Sequence, residues 1–406
     1  MSTQPAAGAI SGARAVVVLG LLTALGPLSI DLYLPAFPVL QADLDASDAM
    51  VQATLAGMTI GLGLGQLVVG AWSDRVGRRR PLLMSTGLHV LATLACALAP
   101  TVEALVALRV VQGMGAAGSA VLVLAIVRDV AEGQTLVVLL SRVTLVTTTA
   151  PLLAPVAGAE LLSITGWRGV FVVLAVVSTL VLASTVSVVP ETADRTSTVA
   201  SLRARVAAVW ADQGFRRATL VASMTYAGVY AYVAASPLLL QQVYGLSARA
   251  FSLIFLCNSV GLVAGVQMAS LLARRFAATR VLAGFTVVTV AAAASILPLQ
   301  SAGVAAVLVC LWLFVAACGG CFPCAEALAL GGQGGQAGTA TSIHGFATFT
   351  IAGFASPVAG LVGITNATPV ALVLLATSVT SLLGSGLLLQ APRTPADRVA
   401  SVTAGT

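Results

Sequence analysis

The sequence has no lysine, only two histidines and few charged residues of either sign. Acidic and basic side chains make up 8% of its 406 residues, whereas a soluble domain carries roughly a quarter. This scarcity excludes a water-soluble fold. Without lysine the chain has no phosphate-loop lysine, pyridoxal Schiff base or retinal attachment point, which excludes an ATP-driven pump on this chain and a rhodopsin. Because His89 and His344 are far apart in the sequence, we expect no resident metal or other cofactor.

Long apolar runs fill most of the chain. Runs of 17 or more residues without an acid or an arginine cover 49–73, 81–102, 110–127, 143–159, 169–190, 218–248 and 250–273. The run 15–34 adds a further span, and two longer runs, 281–325 and 327–392, are divided by glycine- and proline-containing breaks at 298–303, 331–336 and 363–369. Since a helix of about 20 residues crosses a bilayer, and the runs lack the alternation of barrel strands, the sequence predicts twelve transmembrane helices, spans 1 to 12.

The charged residues divide the chain into two similar parts. Eight of the 34 charged residues occur within 190–217, which leaves six spans on either side, the arrangement of a duplicated unit. We therefore expect an all-α integral membrane protein with two pseudo-symmetric six-helix bundles. The predicted divisions are an N-terminal tail (1–13), a first bundle (14–189), a central loop (190–217), a second bundle (218–392) and a C-terminal tail (393–406).

The arginines indicate the orientation. Placing the N-terminus in the cytoplasm puts 17 of the 20 arginines on that side, leaving Arg168 and Arg249 outside and Arg109 within a span. Arginine-rich loops stay on the cytoplasmic side, so we expect a multi-pass protein with both termini cytoplasmic. Alanine-, valine- and arginine-rich usage is typical of a GC-rich bacterium, and the predicted location is the inner membrane of such a cell. The net charge of +6 is then a topology signal, and no nucleic-acid partner is expected.

The loop between spans 2 and 3 contains a compact charged motif, GAWSDRVGRRRP over residues 70–81. The small residues permit close helix contact and a tight turn, and the acid can pair with an arginine, so the motif can latch the two halves together. A simple arginine run that sets topology is the alternative. The latch residues would be Gly70, Asp74, Arg75, Gly77 and Arg78. The motif resembles the G-x-L-a-D-r-x-G-R-k signature of the major facilitator superfamily, with Trp72 replacing the usual leucine.

Two charged residues lie inside apolar runs, Asp31 in span 1 and Arg109 in span 4. An intramembrane arginine costs about 2.5 to 3.5 kcal/mol unless it faces protein or water, so Arg109 needs a partner or must reach the outer surface. A carboxylate held away from water can bind and release a proton, as an antiporter requires, although Asp31 can also lie at the outer interface. We expect Asp31 to bind the proton and Arg109 to modulate it electrostatically.

Both segments resemble known antiporter sequences. LRVVQGMG, residues 108–115, is similar to the R-x-x-q-G-x-g pattern that the superfamily associates with proton movement. DLYLPAFP, residues 31–38, closely resembles the D-x-Y-L-P-A-x-P stretch of the bicyclomycin-resistance and chloramphenicol-efflux (Bcr/CflA) branch of twelve-span drug:proton antiporters.

Span 5 shares that branch's A-P-x-x-A-P form. This form predicts a kinked, tightly packed helix with a role in antiport; an ordinary proline kink without such a role is the alternative. Its residues are Pro151, Pro155 and Gly158.

Other polar and aromatic side chains within the spans are candidates for a substrate cavity: Tyr33, Gln112, Tyr226, Tyr230, Asn258, Glu326 and His344. Glu326 can titrate or simply end its helix, and His344 can titrate or complete an interhelical hydrogen bond. The span 7 tyrosines can stack on an aromatic drug or pack between helices. The C-x-x-C-x-x-C run at 318–324 lies inside span 10 without a fourth ligand, so it predicts no metal cluster.

The resemblance implies a transporter, not an enzyme. It implies proton-coupled efflux of small amphiphilic drugs, such as chloramphenicol- or bicyclomycin-like antibiotics, by alternating access in a lipid-embedded monomer driven by the proton gradient. Proton-coupled uptake or export of a metabolite or sugar by the same fold is the alternative. A membrane receptor or enzyme is less favoured, because the longest polar segment is the 28-residue central loop.

Overall fold

The computed structural model describes residues 13–131, 133–191, 202–333 and 336–390. The predicted tails, 1–13 and 393–406, fall outside these residues except for Ala13. The side chains of three predicted site residues, Asp74, Arg75 and Pro151, also lie outside the described part. Within the described ranges the chain is helical and contains no β-strand.

Twelve long helices, α1 to α12, match spans 1 to 12 in order within the described residues. The first half contains α1 (Ala13–Asp31), α2 (Asp48–Val76), α3 (Arg79–Ala97) and α4 (Val102–Val130), followed by the 56-residue stretch Gly133–Val188, which breaks at Gly166 (φ 70°) into α5 (133–165) and α6 (167–188). The second half contains α7 (Gln213–Pro237), α8 (Ala248–Leu272), α9 (Ala278–Leu299), α10 (Val304–Leu330), α11 (Ala337–Ala355) and α12 (Thr368–Leu389). The predicted all-helical membrane fold is confirmed.

Short helical elements extend or connect the long helices. They are two 3₁₀ turns (Leu34–Ala36 and Gln300–Ala302), a π-helix (Leu238–Val243) and three short α-helices (Phe37–Asp43, Leu202–Ala211 and Val358–Val362). The continuous helix α1 stops at Asp31, just before two prolines at positions 35 and 38. Proline has no backbone N–H to donate, so the chain turns there and a carboxylate lies at a helix end inside the protein.

Part of the predicted central loop, 190–217, is helical in the structure. It contains the helix Leu202–Ala211, and α7 begins at Gln213, five residues before the predicted start of the second bundle. The Asp212 side chain caps α7 by accepting hydrogen bonds from the backbone N–H groups of Gly214 and Phe215, at 2.8 and 3.3 Å. Because the first turn of α7 contains charged residues, it lies outside the predicted apolar run. It is helical nevertheless, since a capped helix can extend beyond its apolar region.

Glycines allow α2 and α4 to pack with their backbones in contact inside the first half. A methyl carbon added at Gly61 would lie 2.1 Å from the carbonyl oxygen of Val110, and one at Gly113 would lie 2.2 Å from that of Met58. Neither backbone can move away easily, so a larger side chain at either position would separate the helices. This packing holds the arginine of α4 against α2.

Candidate functional site

Arg109 lies fully buried inside the first half. Its Nη1 donates to Oε1 of Gln112 at 2.6 Å, and its Nε donates to the carbonyl oxygen of Thr54 at 3.3 Å. The guanidinium carbon lies 4.3 Å from the ring centroid of Tyr33 and 5.7 Å from that of Phe171. Neutral oxygens and aromatic faces therefore stabilise the charge without a carboxylate. The alternative in which Arg109 reaches the outer surface is wrong.

A chain of buried polar groups connects Arg109 to α1. Nε2 of the Gln112 side chain donates to the Thr93 hydroxyl at 2.8 Å. The backbone carbonyl oxygen of Gln112 lies 3.2 Å from Nδ1 of His89. Since a carbonyl only accepts, Nδ1 carries the proton, and Nε2 of His89 lies 3.4 Å from the Ser29 hydroxyl. Sequence reasoning missed this role of His89 and Thr93, although their four-residue spacing on α3 places them on one helix face.

Asp31 is buried, with 7% of its surface exposed, which agrees with the buried alternative rather than the interfacial one. It makes no hydrogen bond or ion pair with any side chain in the described ranges, so it is not ion-paired with Arg109. The Arg109 guanidinium instead lies over the ring of Tyr33.

Helix α5 packs against the turn that follows Asp31 and also against the second half. A methyl carbon at Gly158 would lie 1.9 Å from the carbonyl oxygen of Leu32, so only glycine fits at this contact. One turn earlier, the carbonyl of Pro155 accepts a hydrogen bond from the hydroxyl of Ser252 in α8, at 2.8 Å. The helix with the predicted antiporter motif therefore contacts both the Asp31 segment and the opposite half.

Among the described residues of the predicted latch, Gly77 and Arg78 form a turn inside the first half, and Gly70 lies within α2. Gly77 ends α2 with a φ of 98°, a conformation that favours glycine. The backbone N–H of Arg78 donates to Oε1 of Glu191 at 2.6 Å, and its Nε donates to Oδ2 of Asp129 at 3.1 Å. A methyl carbon at Gly70 would lie 3.4 Å from a side chain of α11 in the other half. Sequence reasoning treated Glu191 only as a loop charge, because its partners are distant in sequence.

Four aromatic rings from the second half form a group that we term the aromatic cluster: Tyr226, Tyr230, Phe322 and Phe349, all half-buried. The Tyr226 ring centroid lies 6.3 Å from that of Tyr230, 4.3 Å from that of Phe322 and 5.9 Å from that of Phe349. The exposed carboxylate of Glu326 lies one turn after Phe322 on α10. The sequence indicated the tyrosines and Glu326. It did not indicate the phenylalanines, which carry no polar group.

Four of the predicted cavity residues are buried, each inside its own half: Tyr33, Gln112, Asn258 and His344. The first two surround the arginine of α4. Nδ2 of Asn258 donates to the hydroxyl of Tyr232, and Nδ1 of His344 lies 3.1 Å from the hydroxyl of Thr219. Because an unpaired polar group is costly away from water, these side chains turn toward partners inside their own bundle. That these four residues line a substrate cavity stays a prediction.

Polar contacts join the halves at the end of the molecule that carries Asp43, which we term the closed end. Arg249 of α8 binds Glu160 of α5 through two hydrogen bonds, of 2.8 and 2.9 Å. Arg168 pairs with Asp43 at the same end, inside the first half. Further hydrogen bonds across the two halves join Gln242 to Gln41, the Gly360 amide to Gln52 and the Ile364 amide to Asp48. These contacts hold α5, α8 and the ends of α2 and α11 together.

Comparison with known proteins agrees with this architecture. A family model described as Major Facilitator Superfamily matches residues 19–357. The chain is 32% identical over 374 residues to an uncharacterized MFS-type transporter, YdgK, of Bacillus subtilis (strain 168), covering 89% of this chain and 92% of the relative. It is 31% identical to the bicyclomycin resistance protein homolog of Haemophilus influenzae, covering 64% of this chain and 66% of the relative. It is also 31% identical to multidrug resistance protein D of Escherichia coli (strain K12), covering 59% and 61%.

Solved structures of transporters share the fold. A bacterial homologue of the human lysosomal transporter Spinster, inward-facing and unoccupied, superimposes with a TM-score of 0.75 at 16% identity, covering 97% of this chain and all of the other. A D-xylose-proton symporter superimposes with a TM-score of 0.73 at 15% identity, covering 96% and 98%. At these identities the likeness shows the fold alone.

Proposed function

This chain belongs to the Major Facilitator Superfamily and is a multi-pass membrane transporter, not an enzyme, and we propose that it exports small amphiphilic drugs, such as chloramphenicol- or bicyclomycin-like antibiotics, in exchange for protons. The observation that carries the proposal is Asp31, a buried carboxylate without a hydrogen-bond or ion-pair partner among the described side chains. A buried carboxylate without a counter-ion must lose its charge or gain a cationic partner. Reversible protonation of this group would couple proton entry to export.

The position of Asp31 supports this role. It ends α1 beside the α5 contact at Gly158, and in the turn that follows it the carbonyl oxygen of Pro35 accepts a hydrogen bond from Nε2 of Gln241 in the opposite half, at 3.3 Å. A change in its charge therefore changes the electrostatic potential at the boundary where the two halves move during alternating access. In the proposal Arg109 contributes a fixed positive charge, held through Gln112 and the polar chain that reaches Ser29.

The relatives support the substrate class. Two of them are named for resistance to bicyclomycin and to multiple drugs. In this chain, the half-buried aromatic cluster provides apolar ring faces on which an amphiphilic drug can stack. We propose that these rings and Glu326 line the substrate cavity.

We propose that both termini and the 190–217 segment face the cytoplasm of a bacterial cell, so that the closed end faces outward. Contacts such as Arg249 with Glu160 then seal the outer side, and the protein loads substrate from the cytoplasm or the inner leaflet. The bundles at 14–189 and 218–392 would rock about the cavity as a monomer. The latch at Gly70, Asp74, Arg75, Gly77 and Arg78 would close the cytoplasmic side in the opposite state.

Drug transport in proteoliposomes tests the proposal. With an imposed proton gradient, the native chain should transport chloramphenicol, and an uncoupler should abolish that transport. Asp31→Asn should lose gradient-driven transport but retain exchange of labelled for unlabelled drug, because exchange needs no net proton movement. Glu103→Gln, at an exposed carboxylate in the first turn of α4, is the matched control and should behave like the native chain.

Two outcomes would contradict the proposal. Gradient-driven transport that persists in Asp31→Asn would show that another group carries the proton. Gradient-driven accumulation of a sugar or metabolite, without transport of any drug in a panel of chloramphenicol, bicyclomycin and sulfonamides, would replace export with proton-coupled uptake.

A further inference from the structure

Thr93 of α3 sets the direction of a side-chain amide beside Arg109. Its hydroxyl donates to the backbone carbonyl oxygen of His89 at 2.6 Å, so the hydroxyl oxygen remains free to accept. Nε2 of Gln112 donates to that oxygen at 2.8 Å. Oε1 of the same amide then faces Nη1 of Arg109 at 2.6 Å, and a guanidinium can only donate. Both ends of the amide are satisfied in this orientation, whereas the reverse orientation would place donor against donor.

The packing of α3 on α4 fixes the distance between Thr93 and Gln112. A methyl carbon added at Gly115 would lie 2.6 Å from the backbone nitrogen of His89, so the two helices are in backbone contact there. Thr93 and Gln112 are both fully buried, and a buried group that loses its hydrogen bond cannot turn to bulk water. Without the Thr93 hydroxyl, Nε2 of Gln112 would lack an acceptor, and the side chain would leave its present position to find one.

The position of the Arg109 guanidinium depends on that amide. Gln112 accepts from Nη1, and the backbone carbonyl oxygen of Thr54 accepts from Nε at 3.3 Å. Nη2 is buried and has no hydrogen-bond partner among the described residues. If the amide oxygen moved away, Nη1 would also lack an acceptor. A buried cation with two unpaired groups would then move toward negative charge.

A carboxylate lies at the end of α1. The Arg109 guanidinium is 4.3 Å from the ring centroid of Tyr33, which follows Asp31 by two residues, so the arginine packs against the segment that carries this carboxylate. Asp31 is buried and makes no hydrogen bond or ion pair with any described side chain. The two groups therefore stay unpaired although they belong to adjacent segments of one bundle, and the Gln112 amide holds the guanidinium in place.

We propose that Thr93 is a positioning residue for proton-coupled transport, because through the Gln112 amide it keeps Arg109 over Tyr33 and out of an ion pair with Asp31. Such an ion pair would occupy the carboxylate, which could then no longer exchange a proton. The transport role rests on the proposed function, whereas the hydrogen-bond chain from Thr93 to Arg109 does not.

Removal of the Thr93 hydroxyl without a change of shape tests the transport role. In proteoliposomes, Thr93→Val should reduce gradient-driven chloramphenicol transport by about tenfold. It should leave exchange of labelled for unlabelled drug intact, the pattern also expected of Asp31→Asn. Thr93→Ser keeps the hydroxyl and should retain gradient-driven transport. If Thr93→Val does not fold, Thr93→Ala removes the same hydroxyl without adding a methyl group.

The matched control is Thr86→Val, on the same helix. The Thr86 hydroxyl is fully buried, donates to the carbonyl oxygen of Leu82 at 2.8 Å and lies 3.0 Å from the hydroxyl of Ser119 in α4. It therefore makes the same kind of contact between α3 and α4, but ten residues along α4 from Arg109. Thr86→Val should transport drug like the native chain.

A stability measurement tests the hydrogen-bond chain without transport. Thr93→Val should lower the Tm of the purified full chain. In the Gln112→Leu background it should lower the Tm much less, because the amide that the hydroxyl holds is already absent.

Several results would overturn the inference. Gradient-driven transport unchanged in Thr93→Val, or reduced equally in Thr86→Val, would do so, as would equal losses of gradient-driven transport and of exchange. Equal Tm changes in the native and Gln112→Leu backgrounds would remove the hydrogen-bond chain. Failure of the proposed function is distinguishable. If the native chain shows no gradient-driven drug transport while the Tm changes differ, the drug-export function and the transport role of Thr93 are both removed, and only the positioning of Arg109 stands.

Discussion

The hydroxyl group of Ser252 makes a buried hydrogen bond between the two halves, and its removal should weaken the closed end. The hydroxyl donates to the carbonyl oxygen of Pro155 at 2.8 Å, and the residue is 1% exposed. If the halves separate at this end during transport, the hydrogen bond exists only in the state in which this end is closed. Ser252→Ala should therefore shift the protein toward the state that is open at the outer end.

The size of the shift follows from this geometry. A typical intramolecular hydrogen bond contributes about 0.5 to 1.5 kcal/mol net. The Ser252 hydroxyl also lies 2.9 Å from the carbonyl oxygen of Ala248 in its own helix, so it has an alternative acceptor once the halves separate. The difference between the states is then in the lower part of the range, about 0.5 to 1 kcal/mol, which corresponds to about a two- to fivefold change in their ratio.

Spin-label distances between the halves measure this ratio. Labels at Leu98→Cys and Ser301→Cys would lie at exposed turns on the outer end, one in each half, with exposed Cys257 replaced by serine. The longer-distance population should grow about two- to fivefold in Ser252→Ala.

The control is Ser259→Ala, on the same helix, because its hydroxyl donates to the Phe255 carbonyl within α8 at 2.9 Å. This variant should leave the distances unchanged. An unchanged distribution in Ser252→Ala, or an equal shift in Ser259→Ala, would refute the reasoning.

Two further predictions concern the first half. Tyr33→Leu removes the ring under the Arg109 guanidinium and should cost about 2 kcal/mol, seen as a lower Tm of the purified protein, whereas Tyr33→Phe keeps the ring and should retain most of the stability. Equal Tm values for the native chain and Tyr33→Leu would contradict the cation–π contact. Gly158→Ala places a methyl carbon 1.9 Å from a backbone oxygen beside Asp31 and should strongly reduce drug transport, whereas Gly284→Ala, where a methyl group meets open space, should not. Normal transport by Gly158→Ala would show that this close contact is dispensable.

Much of the fold was predictable because membranes impose simple rules on sequences. A helix in lipid must be long and apolar, so the apolar runs predicted the twelve helices. The breaks between helices also lie between predicted spans, as at Gly166 and at the 3₁₀ turn before Gly303. The motif resemblance to the major facilitator superfamily is confirmed by the family match. The start of α7 was not predictable from apolarity, because the Asp212 cap lies among charged residues.

The candidate site was predictable only in its rarest residues. An arginine inside an apolar run must have a partner, and the sequence therefore singled out Arg109. It did not identify the ring of Phe171, which is distant in sequence and common in type. It also did not identify the partners of Asn258 and His344, because a polar residue in a span can satisfy its hydrogen bonds with any neighbouring helix of its own bundle.

Composition and spacing alone determined that this chain is a lipid-embedded helical protein with charges confined mostly to loops, since the cost of burying charge in lipid acts on each segment separately. Which charges meet was decided by tertiary structure, because such contacts depend on distant helices packing within a few ångströms of one another. Only the folded chain separates Asp31 from Arg109, surrounds the arginine with Tyr33 and Gln112, and leaves the carboxylate without a partner at the boundary between the halves.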